Sequence, residues 1–437
     1  MQPKRLITTC PSMQAATIGL RLTVLVFILW SLSACAAPIT IPPTRAAAMM
    51  LAVVPPTVIP TVPATFTPPP PGATIDAQLN HNQTWQVGPS STPSITPPIP
   101  SHTPTPSPTY TPSPTYTPSP TRTSAAVSGI WYNYPFSIDP RKSKLSIHVI
   151  KPNSPHIEEF IRQTQPNVIK LVDDFGLAAI TKELSPRTIV IGRADNINQQ
   201  YGGNPEEEAR KYVQQNLAKY RLNPAVDYWE GWNEPDPGLE HMSWYARFEQ
   251  ERVREMARQG LGAAIGGFAT GVPEMNEFAL FVPAIETAMQ YGAILTLHEY
   301  SAPVITYGYG SEMPGYPRYA DRGTLTLRYR WYYREILEPA GLVIPLAITE
   351  AGIDGIIGNR PGPPGYGWAD FQAYAVEQGW GRNGIEAFVN QMAWYDAEVR
   401  KDPYVLGFTI FTAGSIGHWR NYEISDVLPR LTDYARP

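Results

Sequence analysis

From about residue 128 onward, hydrophobic positions follow two alternating rhythms. Short apolar runs rich in β-branched residues stand at Leu145 to Ile150, Asn167 to Asp173, Thr188 to Arg193, Asp227 to Trp232, Ala263 to Ala269, Ile294 to Tyr300, Pro345 to Thr349 and Val405 to Phe411. Between them, longer stretches keep helical periodicity at Ser154 to Gln165, Leu177 to Leu184, Pro205 to Arg221, Ser243 to Gln259, Asn276 to Tyr291, Arg328 to Leu337 and Ala369 to Arg400, with a weak last segment at Ile424 to Tyr434. Eight strands alternating with helices predict an α/β chain with a parallel sheet, and in about 300 residues that count matches a (β/α)8 TIM barrel. Punctuation supports the helix limits. Asn204-Pro205-Glu206-Glu207 supplies an N-cap, a proline at the first helical position and acids in the first turn, and Gly260 stops the helix that starts at Ser243.

Composition divides the chain. It has 437 residues and 48 prolines, well above an ordinary share of about 5%, and the excess is crowded between Pro38 and Pro120. Residues 36–127 are Pro/Thr/Ser-rich, with few large apolar side chains, and are expected to be a disordered linker. At about 3.1 Å per residue in polyproline II, such a linker reaches on the order of 200 Å. Upstream, Lys4, Arg5 and Arg21 precede the apolar run Leu22 to Leu32. At about eleven residues this run is too short to span a bilayer and fits the core of a signal peptide. It ends in Leu32-Ser33-Ala34-Cys35, which resembles the lipobox of bacterial lipoproteins and implies lipidation at Cys35 and a cell-surface location. The expected domains are therefore 1–35 signal and lipobox, 36–127 linker and 128–437 barrel. Cys10 is the one other cysteine and lies in the segment to be removed, so no disulfide is expected. A net charge of −4 with no basic run in the globular part offers no footprint for nucleic acid, and only the lipid anchor points to a membrane.

Two stretches carry chemistry. Tyr228 to Asp236 reads YWEGWNEPD, and Pro345 to Gly352 reads PLAITEAG. Each places one acid at the end of an apolar run, Glu234 after the fourth strand and Glu350 after the seventh. Barrel sites are built at the carboxyl ends of strands, so the two acids belong to one mouth. Strand alternation turns Ile348 the same way as Glu350, and His298 the same way as Tyr300. Paired carboxyls suit cleavage of a glycosidic bond, one donating a proton to the leaving oxygen and the other attacking or activating water.

With WNEP after strand four, ITEAG after strand seven and His298 and Tyr300 on strand six, the globular part resembles the clan A glycoside hydrolases. That resemblance implies a retaining enzyme with Glu234 as acid/base and Glu350 as nucleophile. It further implies that Asn233 contacts the sugar 2-hydroxyl, that Tyr300 holds the nucleophile beside His298, and that Trp419 is an aromatic platform after strand eight. The clan often carries an arginine on strand two. This chain has Lys170 there, and Arg193 at the end of strand three can take that role.

Other residues have plainer expectations. Glu230 shares the parity of Glu234 but lies deeper, as a buried partner for a basic residue. His148 is expected to pack, and Asp173 and Asp174 to cap a loop. Aromatic residues crowd the loops after strand six, with Tyr307, Tyr309, Tyr316 and Tyr319, and after strand seven, with Tyr366 and Trp368. They can stack on sugar rings or anchor their loops. The histidines are scattered and not at ligand spacing, so no metal and no cofactor is expected. A carbohydrate is the expected partner of a monomeric chain. The rival is a lipid-anchored carbohydrate-binding or surface-display barrel that has lost catalysis, whose mark would be a damaged acid pair.

Overall fold

The computed structural model describes Tyr134, Asp139 and residues 142–194 and 199–437. The expected signal, Cys35 and the whole of the expected linker lie outside these residues. Eight strands form a closed parallel barrel in sequence order: β1 Leu145–Val149, β2 Val168–Val172, β3 Ile189–Arg193, β4 Tyr228–Glu230, β5 Gly262–Phe268, β6 Ile294–Ser301, β7 Leu346–Ile353 and β8 Val405–Ala413. Around it run α1 Pro155–Thr164, α2 Gly176–Leu184, α3 Pro205–Leu222, α4 Gly238–Arg258 and α5 Met275–Tyr291. Then come α6, which is Tyr329–Tyr332 continued by a π-helical turn at Tyr333–Leu337, α7 Gln372–Glu377, α8 Gly384–Val399 and α9 Leu428–Ala435. The Asn204 side chain accepts from Glu207 N at 2.9 Å, capping α3. The fourth helix begins at Gly238 rather than Ser243, and the stretch from Ala369 to Arg400 is broken between α7 and α8. Among the described residues, no helix is long and apolar enough to cross a membrane.

Two apolar layers account for most of the core. One lies between sheet and helices. The other fills the base of the barrel with Val168, Ile189, Ile191, Tyr228, Ala264, Ile294, Ala347 and Leu406 from the strand starts, closed below by Tyr134, whose hydroxyl donates to Ala293 O at 2.9 Å. Above that plug the interior turns polar. Thr296 and Thr409 spend their hydroxyls on strand carbonyls, and Lys170 Nζ donates to Glu230 across the barrel axis.

The seventh strand departs from simple alternation. Ala347 faces the interior, but Ile348 packs in the sheet–helix layer, opposite to the expected sharing of a face with Glu350. The β7 register slips against β6 between Leu297 and His298 and against β8 between Ile348 and Ala351. This bulge brings both Thr349 and Glu350 to the interior. Glu350 thus lies within β7, which runs on to Ile353 because β6 and β8 pair along it.

Candidate active site

The carboxyl ends of the strands gather Glu234, Glu350, Asn233, His298, Tyr300 and Arg193 into one cluster. An oxygen of Glu234, an oxygen of Glu350 and a ring nitrogen of His298 all lie within 4.8 Å of one another. The protein already binds these atoms. His298 Nδ1 is 2.9 Å from Glu234 Oε1 and 3.6 Å from Glu350 Oε2. Tyr300 Oη donates to Glu350 Oε2 at 2.9 Å, and Arg193 Nη1 donates to Glu350 Oε1 at 3.0 Å. The trio is therefore a hydrogen-bonded set, with lone pairs committed to protein donors.

The two acids occupy unlike surroundings. The Glu234 side chain is 39% exposed and that of Glu350 is 8% exposed, so one faces the cleft and the other is buried beneath it. Burial alone would raise the Glu350 carboxyl, but the groups facing it, His298 and Arg193 foremost and then His148 and Lys170, outweigh burial and hold it well below the usual carboxylate range. His148 Nε2 is 3.8 Å from Glu350 Oε1. Burial holds that imidazole at about 3, so His148 is neutral at neutral pH and its Nδ1 is paired with Thr412 Oγ1 at 2.9 Å. Burial, with the negative charge of Glu350, pushes Tyr300 far above its ordinary value, so it remains a hydrogen-bond donor.

Local backbone fixes the acid that follows β4. Glu234 has φ 47°, a left-handed conformation unusual for a residue with a side chain. Its N–H donates to Gly267 O at 2.9 Å. Gly267 itself has φ +60°, and a Cβ there would come within 2.9 Å of Trp232 O, so only glycine permits this approach. Asn233 is clamped from the loop after β3: its N–H donates to Gln199 Oε1 at 2.6 Å, and Gln199 Nε2 returns a bond to Asn233 O at 2.9 Å. Arg193 donates to Asn233 Oδ1, which leaves the Asn233 amide NH2 to meet a ligand.

An aromatic ring stands near the end of the eighth strand. That ring is Phe411, 4.8 Å from His148 and 6.4 Å from Tyr300 between centroids. Trp419 sits in the short helix Gly417–Tyr422, edge-on to Phe411 at 5.0 Å. Sequence reasoning missed Phe411 because it reads as one more strand residue, and missed Gln199 because nothing marks a loop glutamine. It also missed Asp354, just past β7, whose Oδ1 accepts from Tyr422 Oη at 2.8 Å and Ile356 N at 2.9 Å. Burial first, and then the charges of Glu234 and Glu350, push Asp354 up.

Several other residues are anchors. Tyr309, Tyr316 and Tyr319 pack against the main core, and Tyr307 donates to Asn359 O at 3.0 Å. Asp174 Oδ1 accepts from Gly176 N at 3.2 Å at the start of α2, and Asp173 pairs with Lys219. Glu230 is fully buried against Lys170.

No family model and no curated protein matches the sequence. Solved structures that resemble this fold include the endoglucanase Cel5A of Pseudomonas stutzeri, with 11% identity, 67% of this chain and 94% of that chain covered and a TM-score of 0.39. Two others are CJP38, a beta-1,3-glucanase and allergen of Cryptomeria japonica pollen (12% identity, 65% and 96% covered, TM-score 0.39), and the endo-1,4-beta-D-mannanase of Thermotoga petrophila (12%, 67% and 99%, TM-score 0.37). Likenesses this remote carry no argument about chemistry, which rests on the residues at the mouth of the barrel.

Proposed function

We propose that this chain is a retaining glycoside hydrolase that cleaves an O-glycosidic bond of a poly- or oligosaccharide by double displacement. The observation that carries this is the approach of Glu234 and Glu350 to within 4.8 Å at the mouth of a closed barrel. Carboxyl groups about 5–5.5 Å apart suit direct attack on the sugar, whereas an inverting pair stands about 6.5–9.5 Å apart to admit water.

In the first step a Glu350 oxygen bonds to the anomeric carbon while the bond to the leaving oxygen breaks, and that oxygen takes the proton of Glu234. In the second, Glu234 removes a proton from water, the water oxygen bonds to the anomeric carbon, and the bond to Glu350 breaks to restore the carboxylate. Each residue has surroundings suited to its part. Glu350 is buried and held ionised by Arg193 and its other partners. Glu234 is open to the cleft, where water and leaving group come and go. Asn233 offers its amide to a sugar hydroxyl, and Phe411, next to His148 and Tyr300 with Trp419 edge-on to it, offers an aromatic surface.

The test is hydrolysis of a glycan and aryl-glycoside panel by the purified chain, with the first-formed anomer followed by NMR. A product of retained configuration is expected. An inverted product, or no cleavage by a folded protein across the panel, overturns the assignment. We further propose lipid anchoring at the cell surface through Cys35, expected to appear as fatty-acid labelling that Cys35→Ala abolishes.

A further inference from the structure

Beneath Glu350 lies a second buried pair that the two-step reaction does not use. Lys170 on β2 donates to Glu230 Oε2 on β4, with side chains 0% and 1% exposed. Glu230 Oε1 accepts from Thr349 Oγ1 at 2.6 Å, and Thr349 is the residue that the bulge of β7 turns inward next to Glu350. The pair thus touches the strand that carries Glu350 at the adjoining position.

Four of the charges around it balance. Lys170 and Arg193 are cationic, Glu230 and Glu350 anionic, and all four are buried. The elements facing Glu350 bring His148 from β1, Lys170 from β2, Arg193 from β3, Glu230 and Glu234 from β4 and its loop, His298 and Tyr300 from β6, and Asp354 from its own loop; β5, reading GAAIGGF, brings no titratable group. The pair itself is faced by Arg193, His298 and Thr349. Burial alone would raise Glu230, but Lys170 and Arg193 outweigh it and hold the carboxyl at about 2.

Resting on the retaining mechanism above, we propose that Lys170 and Glu230 are positioning residues for Glu350: they brace its strand through Thr349 and set the charge of the floor on which it reacts. Before attack the charges of these four, with the hydrogen-bonded His298 and Glu234 left aside, sum to zero. Once Glu350 is esterified, one positive charge on the floor is uncompensated, and Glu234, having given its proton to the leaving oxygen, supplies the matching negative charge. When water releases the sugar, Glu350 regains its charge and Glu234 its proton. The sum over these four and Glu234 stays constant through the cycle, so neither step changes the net charge of the buried site.

The experiment follows the Glu350 titration in the full chain in two ways: as the acid limb of kcat/KM on a cleaved aryl glycoside, and, without turnover, as the 13C carboxyl signal that Glu350→Gln lacks. Lys170→Met is expected to raise the titration by at least about one pH unit, because it removes a nearby cation. Glu230→Gln, which removes an anion, is expected to lower it or leave it in place, while kcat falls in both. Thr349→Val is expected to lower kcat without moving the titration. A purely structural pair would not move the titration oppositely in its two halves, so a rise in both single variants, or no movement in Lys170→Met, overturns the proposal. If a single variant does not fold, the double variant Lys170→Met with Glu230→Gln leaves no unpaired charge. Its titration is expected within half a unit of the wild type, and a rise as large as a lost cation gives overturns the proposal. A wild-type chain that cleaves nothing defeats the hydrolase assignment, while the carboxyl signal still decides this one.

Discussion

Two of the clusters of buried charge among the described residues are finished differently. In the helical shell, Arg330 of α6 donates through Nε to Asp402 at 2.6 Å, through Nη1 to Glu398 at 2.9 Å and Asp321 O at 2.5 Å, and through Nη2 to Glu398 O at 2.7 Å. Tyr329 Oη adds a bond to Asp402 at 2.6 Å. In the floor of the mouth, Arg193 Nε, His148 Nε2 and His298 Nε2 are buried with no hydrogen-bond partner among the described residues. Buried polar atoms are nearly always satisfied; the Arg330 guanidinium follows that rule, and these three nitrogens of the mouth do not. Arg330 uses every nitrogen of its guanidinium within the protein, whereas the mouth leaves three ring and guanidinium nitrogens unspent.

The strongest way to break that contrast is at the nucleophile. Glu350→Gln is expected to cut kcat by on the order of 10⁴-fold or more with an unchanged far-UV circular dichroism spectrum, and near-normal turnover would dissolve the distinction. Glu234→Gln should lose on the order of 10²–10⁴-fold, less on a substrate with a good leaving group, and a small anionic nucleophile that needs no base should restore release of the trapped sugar. In the shell the loss should fall on stability. Arg330→Met leaves Glu398 and Asp402 buried without their main partner and is expected to cost about 3–5 kcal/mol in denaturant unfolding, with kcat per folded molecule unchanged.

Acidity sharpens the same contrast. Glu299, on the outer side of β6, accepts from Leu327 N, Tyr329 N and Tyr395 Oη, and burial pushes it from 4.5 up to about 7. Between these values the folded protein holds a proton that the unfolded chain has released. Its contribution is complete below about pH 4.5 and is lost as pH rises through 7, a change of about 3 kcal/mol. Glu299→Gln should flatten that slope in melting curves taken across the range. The smallest effect belongs to the surface: the half-exposed pair Lys219–Asp173 should be worth less than about 1 kcal/mol when Lys219 becomes Ala.

Much of this architecture was legible in the sequence. The eight apolar runs lie within a few residues of the eight strands because a parallel barrel buries both faces of each strand, so nearly continuous apolar character marks it. Glu234 was legible because Asn and Pro flank it at a strand end. The bulge in β7 was not, since register depends on what β6 and β8 offer alongside, and alternation therefore misplaced Ile348 relative to Glu350. Nor was the link between Lys170, Glu230 and Thr349 visible, because partners separated by 60 and 119 positions meet only when the barrel closes. Lys170 reads on its own as a missing arginine. In the fold Arg193 bonds to Glu350, and Lys170 to Glu230.

Tyr134 has a consequence of its own. It seals the barrel where the strands begin and bonds to Ala293 just ahead of β6, so the polypeptide joins the barrel at its base. Glu234 and Glu350 open at the other end. The base that Tyr134 seals and the mouth that holds the acids are thus opposite ends of one barrel, so whatever meets the acids enters and leaves by the mouth.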